Sequence, residues 1–208
     1  MKVKIFSKPF RWKIALAVLA AMAIIAVKPV YDNVITGVSG ITESDVILID
    51  PGHGGMDGGA SSDAGVTEKD INLAIGLYIK ELAEADGWKV VMTRESDIAL
   101  GDTESKTIRG KKTADLIARK DMIRDVQPTV AVSIHLNSFK QDRSVRGAQT
   151  FYPTGPGEKA ILEESKKFAE IVQEELVKGI ADGTDRTALG KSGVLMLMVQ
   201  SIARALQE

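Results

Sequence analysis

Residues Val46–Gly59 read VILIDPGHGGMDGG. A short apolar run, fit for one buried strand, breaks into a turn that holds five glycines and one of the chain's two histidines. Glycine lets the backbone take positive φ and lets other groups approach closely, at an entropic cost. Such a turn is either a tight connection or a site. Strands and helices alternate on from it. DVILID (45–50) reads as a buried strand, and residues 68–85 carry Ile71, Ile75, Tyr78, Ile79 and Leu82 on one helical face. Thr67 with Asp70 three residues on makes a capping box at the start of that helix. WKVVMTR (88–94), TVAVSIH (129–135) and GAQTFYP (147–153) read as further strands, with helices near 108–125 and 157–179. Polar loops fill 95–107 and 183–193. This order predicts an α/β domain with a central, mostly parallel sheet flanked by helices.

Both histidines fall at carboxyl ends of strands in this reading: His53 after 45–50 and His135 at the end of 129–135. In open α/β sheets that edge is where sites assemble. Neutral imidazole is a common zinc ligand, and a catalytic zinc takes three protein ligands with one position open. The third ligand is then a nearby carboxylate, with Asp57, Asp63 and Glu68 as candidates. Glu68 starts the helix after the His53 loop, where an acid also complements the helix dipole. Asp50 and Asp57 are placed to orient an imidazole from behind.

Other chemistries lack their residues. The glycine loop does not have the G-x-G-x-x-G spacing, and no G-x-S-x-G nucleophile elbow occurs. LGKSG at 189–193 ends like a phosphate loop, but its required first glycine falls at Asp185. Met196 and Met198 read as core filler. The net charge of −1 gives no basic excess for nucleic acid. With no cysteine, thiolate metal sites, disulfides and cysteine nucleophiles are excluded.

The 208 residues suit one domain and an appendage. Lys2, Lys4, Lys8, Arg11 and Lys13 precede an uncharged apolar run from Ile14 to Val27, closed by Lys28 and Pro29. That is the pattern of a signal peptide or membrane anchor over 1–27, basic flank on the cytoplasmic side. A linker, 28–44, follows, and the domain from 45 to 208 is expected to be exported and to act outside the cytoplasmic membrane.

IDPGHGG, Glu68 in TEKDINL, TR at 93–94 and SIHLNS at 133–138 together resemble the zinc-dependent N-acetylmuramoyl-L-alanine amidases, and among them the CwlD-type amidases of spore-forming bacteria, which act on cortex peptidoglycan. The resemblance implies a mixed α/β sheet domain and one zinc ion held by His53, Glu68 and His135. It sets Asn137 and Ser138 at the cleft wall. The implied reaction hydrolyses the amide between N-acetylmuramic acid and L-alanine, with peptidoglycan lying across loops 54–66, 95–107 and 183–193. Arg94 is expected either against a carboxylate of the stem peptide or in a structural ion pair. The family's general base is a glutamate in a motif resembling VE-x-GFLSN after a late strand, and here GVLML runs into MVQSIARALQE. The catalytic base is therefore unassigned. Glu208, at a chain end prone to fraying, is a poor stand-in, and Asp57 and Glu95 are the other acids to weigh. On this reading the domain lacks its last strand and helix, leaving a sheet edge or cleft for a protein partner to cover. Two alternatives are a catalytically silent, zinc-containing peptidoglycan-binding module and a membrane-anchored structural protein without metal.

Overall fold

The computed structural model describes residues 45–101, 104–137, 147–181, 183–192 and 196–202. The N-terminal signal or anchor segment and the linker lie outside the described residues, as do Ser138 and Glu208. Among the described residues no helix is long and apolar enough to cross a membrane.

The elements are β1 (Val46–Pro51), α1 (Glu68–Ala85), β2 (Lys89–Met92), α2 (Ile108–Val126), β3 (Val130–Asn137), β4 (Gly147–Thr154), α3 (Lys159–Ile180), β5 (Leu189–Ser192) and β6 (Leu197–Ile202). They form one sheet in the order β2-β1-β3-β6-β4-β5. β1 runs parallel to β2 and β3, β3 parallel to β6, and β4 parallel to β5; only the β4–β6 pair is antiparallel. The mostly parallel, mixed sheet flanked by helices is the architecture the alternation predicts.

Period-two alternation sorts the strand side chains between two unlike faces. Ile47 and Ile49 of β1 and Val130, Val132 and Ile134 of β3 join Ile75 and Ile79 of α1 and Phe168, Val172 and Leu176 of α3 in the apolar core. The opposite face, where α2 packs, holds Asp50 and Ser133, which are register partners. The one buried residue of α2 is Arg119. On that face Asp50, Ser133 and Arg119 form a buried polar network beside the fully buried Leu48.

Three local expectations change. Thr67 makes no cap bond to the backbone of α1; its hydroxyl donates to the Asp70 carboxylate instead. Leu189–Ser192, read as loop, form the exposed edge strand β5. Leu197–Ile202, not read as a strand, form β6, an interior strand between β3 and β4. Residues 203–208 lie outside the described residues.

Candidate metal centre

At the end of β1 the chain turns sharply, and the first glycine of the loop has a steric reason. A Cβ at Gly52 would overlap the His135 ring, so only glycine lets the ring at the end of β3 lie against this backbone. At Gly59, where φ is +67°, a Cβ would meet both the Glu68 carboxylate and the His53 ring. His53 itself sits at φ 64°, in the left-handed region that non-glycine residues enter at a cost of about 1–3 kcal/mol. The surrounding structure must hold it there.

Two buried arginines do so. Arg119, on α2, donates from Nη2 to the His53 carbonyl at 2.7 Å and from Nη1 to the Pro51 carbonyl at 3.0 Å. Arg94, just past β2, donates to Pro51 O at 2.9 Å, to Gly52 O at 3.0 Å and to Lys69 O at 2.8 Å. Asn72 of α1 adds a bond to Gly52 O at 3.1 Å. Three consecutive carbonyls are thereby fixed. Arg119 is fixed in turn by Asp50 and by Asp115. Asp50 also accepts the hydroxyls of Thr93 and Ser133, each at 2.7 Å. Burial alone would raise the Asp50 carboxyl, but the Arg119 charge and these hydrogen bonds outweigh it and hold the group below the ordinary carboxylate range.

Above this support His53, Glu68 and His135 converge. Glu68 Oε1 lies 3.0 Å from His53 Nε2 and 3.1 Å from His135 Nδ1, and the two ring nitrogens are 3.2 Å apart. All three ligand-type atoms lie within 4.8 Å of one another. The rings stand nearly perpendicular, at 83°, so two nitrogen lone pairs and a carboxylate oxygen meet at one point. Glu68 is held by Leu136 N at 2.8 Å on Oε1 and by Ala60 N at 2.9 Å on Oε2. Burial would raise its carboxyl, yet the bonds to both histidines and to Ala60 N keep it well below the usual range. Burial would lower His53, but its hydrogen bonds to Glu68 and Asp57 raise it.

Asp57 takes the outer side of His53: its Oδ2 is 3.0 Å from Nδ1, while its Oδ1 meets Lys112 Nζ at 2.8 Å. The Asp57 carboxyl is lowered to about 2; burial opposes that shift, and the bonds to Lys112, His53 and Gly59 N exceed it. A carboxylate on Nδ1 fixes the tautomer that leaves Nε2 free to bind a metal. The donor set of two imidazoles and one carboxylate fits a zinc ion with an open fourth position.

The sequence-derived residues fare unevenly. Of the third-ligand candidates, Glu68 stands in the cluster, Asp57 stands behind His53, and Asp63 is exposed outside the group. Asp50 touches no imidazole; it orients Arg119 instead. Arg94 is 2% exposed, and its donors go to the backbone carbonyls of Pro51, Gly52, Lys69 and Ser96. Glu95 points to Lys80 of α1 at 2.8 Å, away from the cluster. Asn137 closes β3, its backbone paired in register with Ile202. Arg119, Asn72 and Lys112 were not anticipated; the Arg119 charge on a helix reads as solvent-facing, and nothing local marks its burial.

The N-acetylmuramoyl-L-alanine amidase family model matches residues 47–205. The germination-specific N-acetylmuramoyl-L-alanine amidase of Bacillus subtilis (strain 168) is 34% identical over 152 residues, 73% of this chain. This chain spans 60% of that protein's length and 36% of the Escherichia coli amidase AmiC, which is 31% identical. Among solved structures, the CwlD amidase of Clostridioides difficile, in complex with the GerS lipoprotein, is 35% identical. It superposes with a TM-score of 0.68, covering 77% of this chain and 82% of that one.

Proposed function

We propose that this chain, which belongs to the N-acetylmuramoyl-L-alanine amidase family, hydrolyses the amide between N-acetylmuramic acid and L-alanine in peptidoglycan, as a zinc enzyme of the spore cortex. The observation that carries this reading is the convergence of His53, Glu68 and His135 on one point at the carboxyl edge of the sheet. Zinc bound there supplies a Lewis acid for the scissile carbonyl and lowers the pKa of water toward about 7. The chain's own residues do the rest. Asp57 keeps the proton of His53 on Nδ1, Ala60 N and Leu136 N hold Glu68 as an anion, and Arg94 and Arg119 keep the loop from relaxing.

The group that takes the water's proton is unassigned. The β6 segment LMVQSI contains no acid, and register sets Gln200 beside His135. That supports a second reading, a zinc-containing peptidoglycan binder with little turnover. A muropeptide digest with the zinc-loaded chain separates the two: release of the stem peptide supports the amidase, and binding without release supports the module.

We infer that residues 1–27 direct export, as a cleaved signal or a membrane anchor, on the basic-then-apolar pattern alone. A fusion of residues 1–45 to a reporter active only outside the cytoplasm checks this; activity retained inside would refute it. A protein partner is part of the same proposal. α2 exposes Ile108, Leu116 and Ile117, and the similar CwlD structure is a complex with a lipoprotein. Co-purification from the source cell with and without charged substitutions at Leu116 and Ile117 tests whether this face binds it.

A further inference from the structure

We propose that Asn72 is a positioning residue of the metal centre, its carboxamide holding the Glu68 carboxylate and the Gly52 carbonyl in one fixed arrangement. This rests on the metal-binding reading of His53, Glu68 and His135, and it adds a residue to the frame that supports them.

Asn72 follows Glu68 by one helical turn, so the two side chains share a face of α1. The other buried residues of the helix are Ile75, Gly76, Ile79 and Ala83, all small or apolar. Asn72 is 0% exposed among them. Gly76 lets the helix come this close to the end of β1, because a Cβ there would overlap the Pro51 ring. Asn72 Nδ2 donates to Gly52 O at 3.1 Å and makes a longer bond, 3.5 Å, to Glu68 Oε1. Its Oδ1 is buried and has no hydrogen-bond partner among the described residues.

That orphaned oxygen needs a reason. A buried polar atom without a partner costs folding free energy, and alanine at this position would remove the cost and favour the helix. Nor does the fold need the two N–H groups. Without them Gly52 O keeps Arg94 Nη2 at 3.0 Å, and Glu68 keeps Leu136 N at 2.8 Å and Ala60 N at 2.9 Å. What the carboxamide adds is placement. Glu68 Oε1 is the oxygen that meets both His53 Nε2, at 3.0 Å, and His135 Nδ1, at 3.1 Å. Gly52 is the backbone against which the His135 ring lies. One side chain therefore touches the ligand oxygen of Glu68 and the rest on which His135 is seated.

The test uses the full chain, stripped of metal and titrated with zinc against a chromophoric chelator, with cobalt(II) in a parallel sample as a spectroscopic probe. Metal-free Asn72→Ala should melt within a few degrees of wild type. Its zinc affinity should fall about tenfold, the lower end for a group that orients a metal ligand, and the visible cobalt band should shift. The loss acts through Glu68, so Asn72→Ala should cost much less affinity in a Glu68→Gln background. Wild-type zinc affinity in Asn72→Ala, an unshifted cobalt band, or an equal loss in both backgrounds overturns the proposal. So does a collapse of the melting temperature, which would assign the side chain to the fold instead. A wild-type chain that takes up no zinc refutes the metal reading and this proposal with it, whereas wild-type uptake with an unaffected variant refutes this proposal alone.

Discussion

Replacing Arg119 by Met should damage both the fold and the metal centre, in separable amounts. The guanidinium bonds Asp50, Asp115, Pro51 O and His53 O while 5% exposed. Removing it leaves the Asp50 carboxylate buried with only two hydroxyl donors. Breaking a buried pair by deleting one partner costs about 3–5 kcal/mol, against a typical total stability of about 5–15 kcal/mol. For a domain of this size each kcal/mol moves the melting temperature by about 2–4 °C, so the expected fall is about 6–20 °C. Arg119→Met with Asp50→Asn removes the stranded charge and should recover part of that loss, a coupling that a double-mutant cycle measures. The second effect is local. Without the bond to its carbonyl, His53 is free to leave φ 64°, and zinc affinity should drop about 10–100-fold, as when other groups that orient a metal ligand are removed. Arg119→Lys keeps the charge but cannot span four acceptors, and should restore stability better than zinc affinity. The reasoning is refuted if Arg119→Met melts within a degree or two of wild type, or if it melts lower but binds zinc as tightly.

Three further outcomes follow from the same geometry. Asp50 is lowered in the folded state, so its contribution is present above its unfolded pKa of about 3.9 and is lost as pH falls below it; thermal melts from pH 6 down to about 3 should fall more steeply for wild type than for Asp50→Asn, and parallel slopes would contradict this. Gly52→Ala places a methyl group into the His135 ring, so zinc content should fall while far-UV circular dichroism stays native; a variant that keeps full zinc refutes the packing argument. Gln200→Glu puts a carboxylate at the strand level of His135; general acid–base catalysis is worth about 10²–10⁴-fold, and a gain of at least about tenfold in muropeptide turnover is expected. An unchanged rate would remove Gln200 as the limiting position.

How far the sequence carried can be seen residue by residue. β1, β3 and α1 were legible because VILID and VAVSIH are apolar runs of strand length and α1 keeps a helical stripe. The glycine loop was legible as a site because a close approach demands residues without Cβ. β6 was not: LMVQSI is short, and its apolar run is broken by Gln200 and Ser201, a pattern that periodicity alone cannot assign. β5 is exposed along its whole length and carries no hydrophobic signal. Arg119 and Asp50 are 69 positions apart in sequence, so a sequence scan sees an ordinary helical charge and an ordinary strand-end acid. The backbone bonds of Arg94 were hidden for a related reason: the sequence does not show which carbonyls turn toward a strand-end arginine.

The central claim is the metal centre, and elemental analysis of purified protein tests it most directly. Wild type, His53→Ala, His135→Ala and Glu68→Gln are dialysed against the same zinc buffer and counted per folded chain, with circular dichroism as the check on folding. The account predicts one zinc per wild-type chain, none retained in either histidine variant and a weakened, partial load in Glu68→Gln, where a neutral amide replaces the charged oxygen. A wild-type chain that holds no zinc, or histidine variants that remain fully loaded, would contradict it.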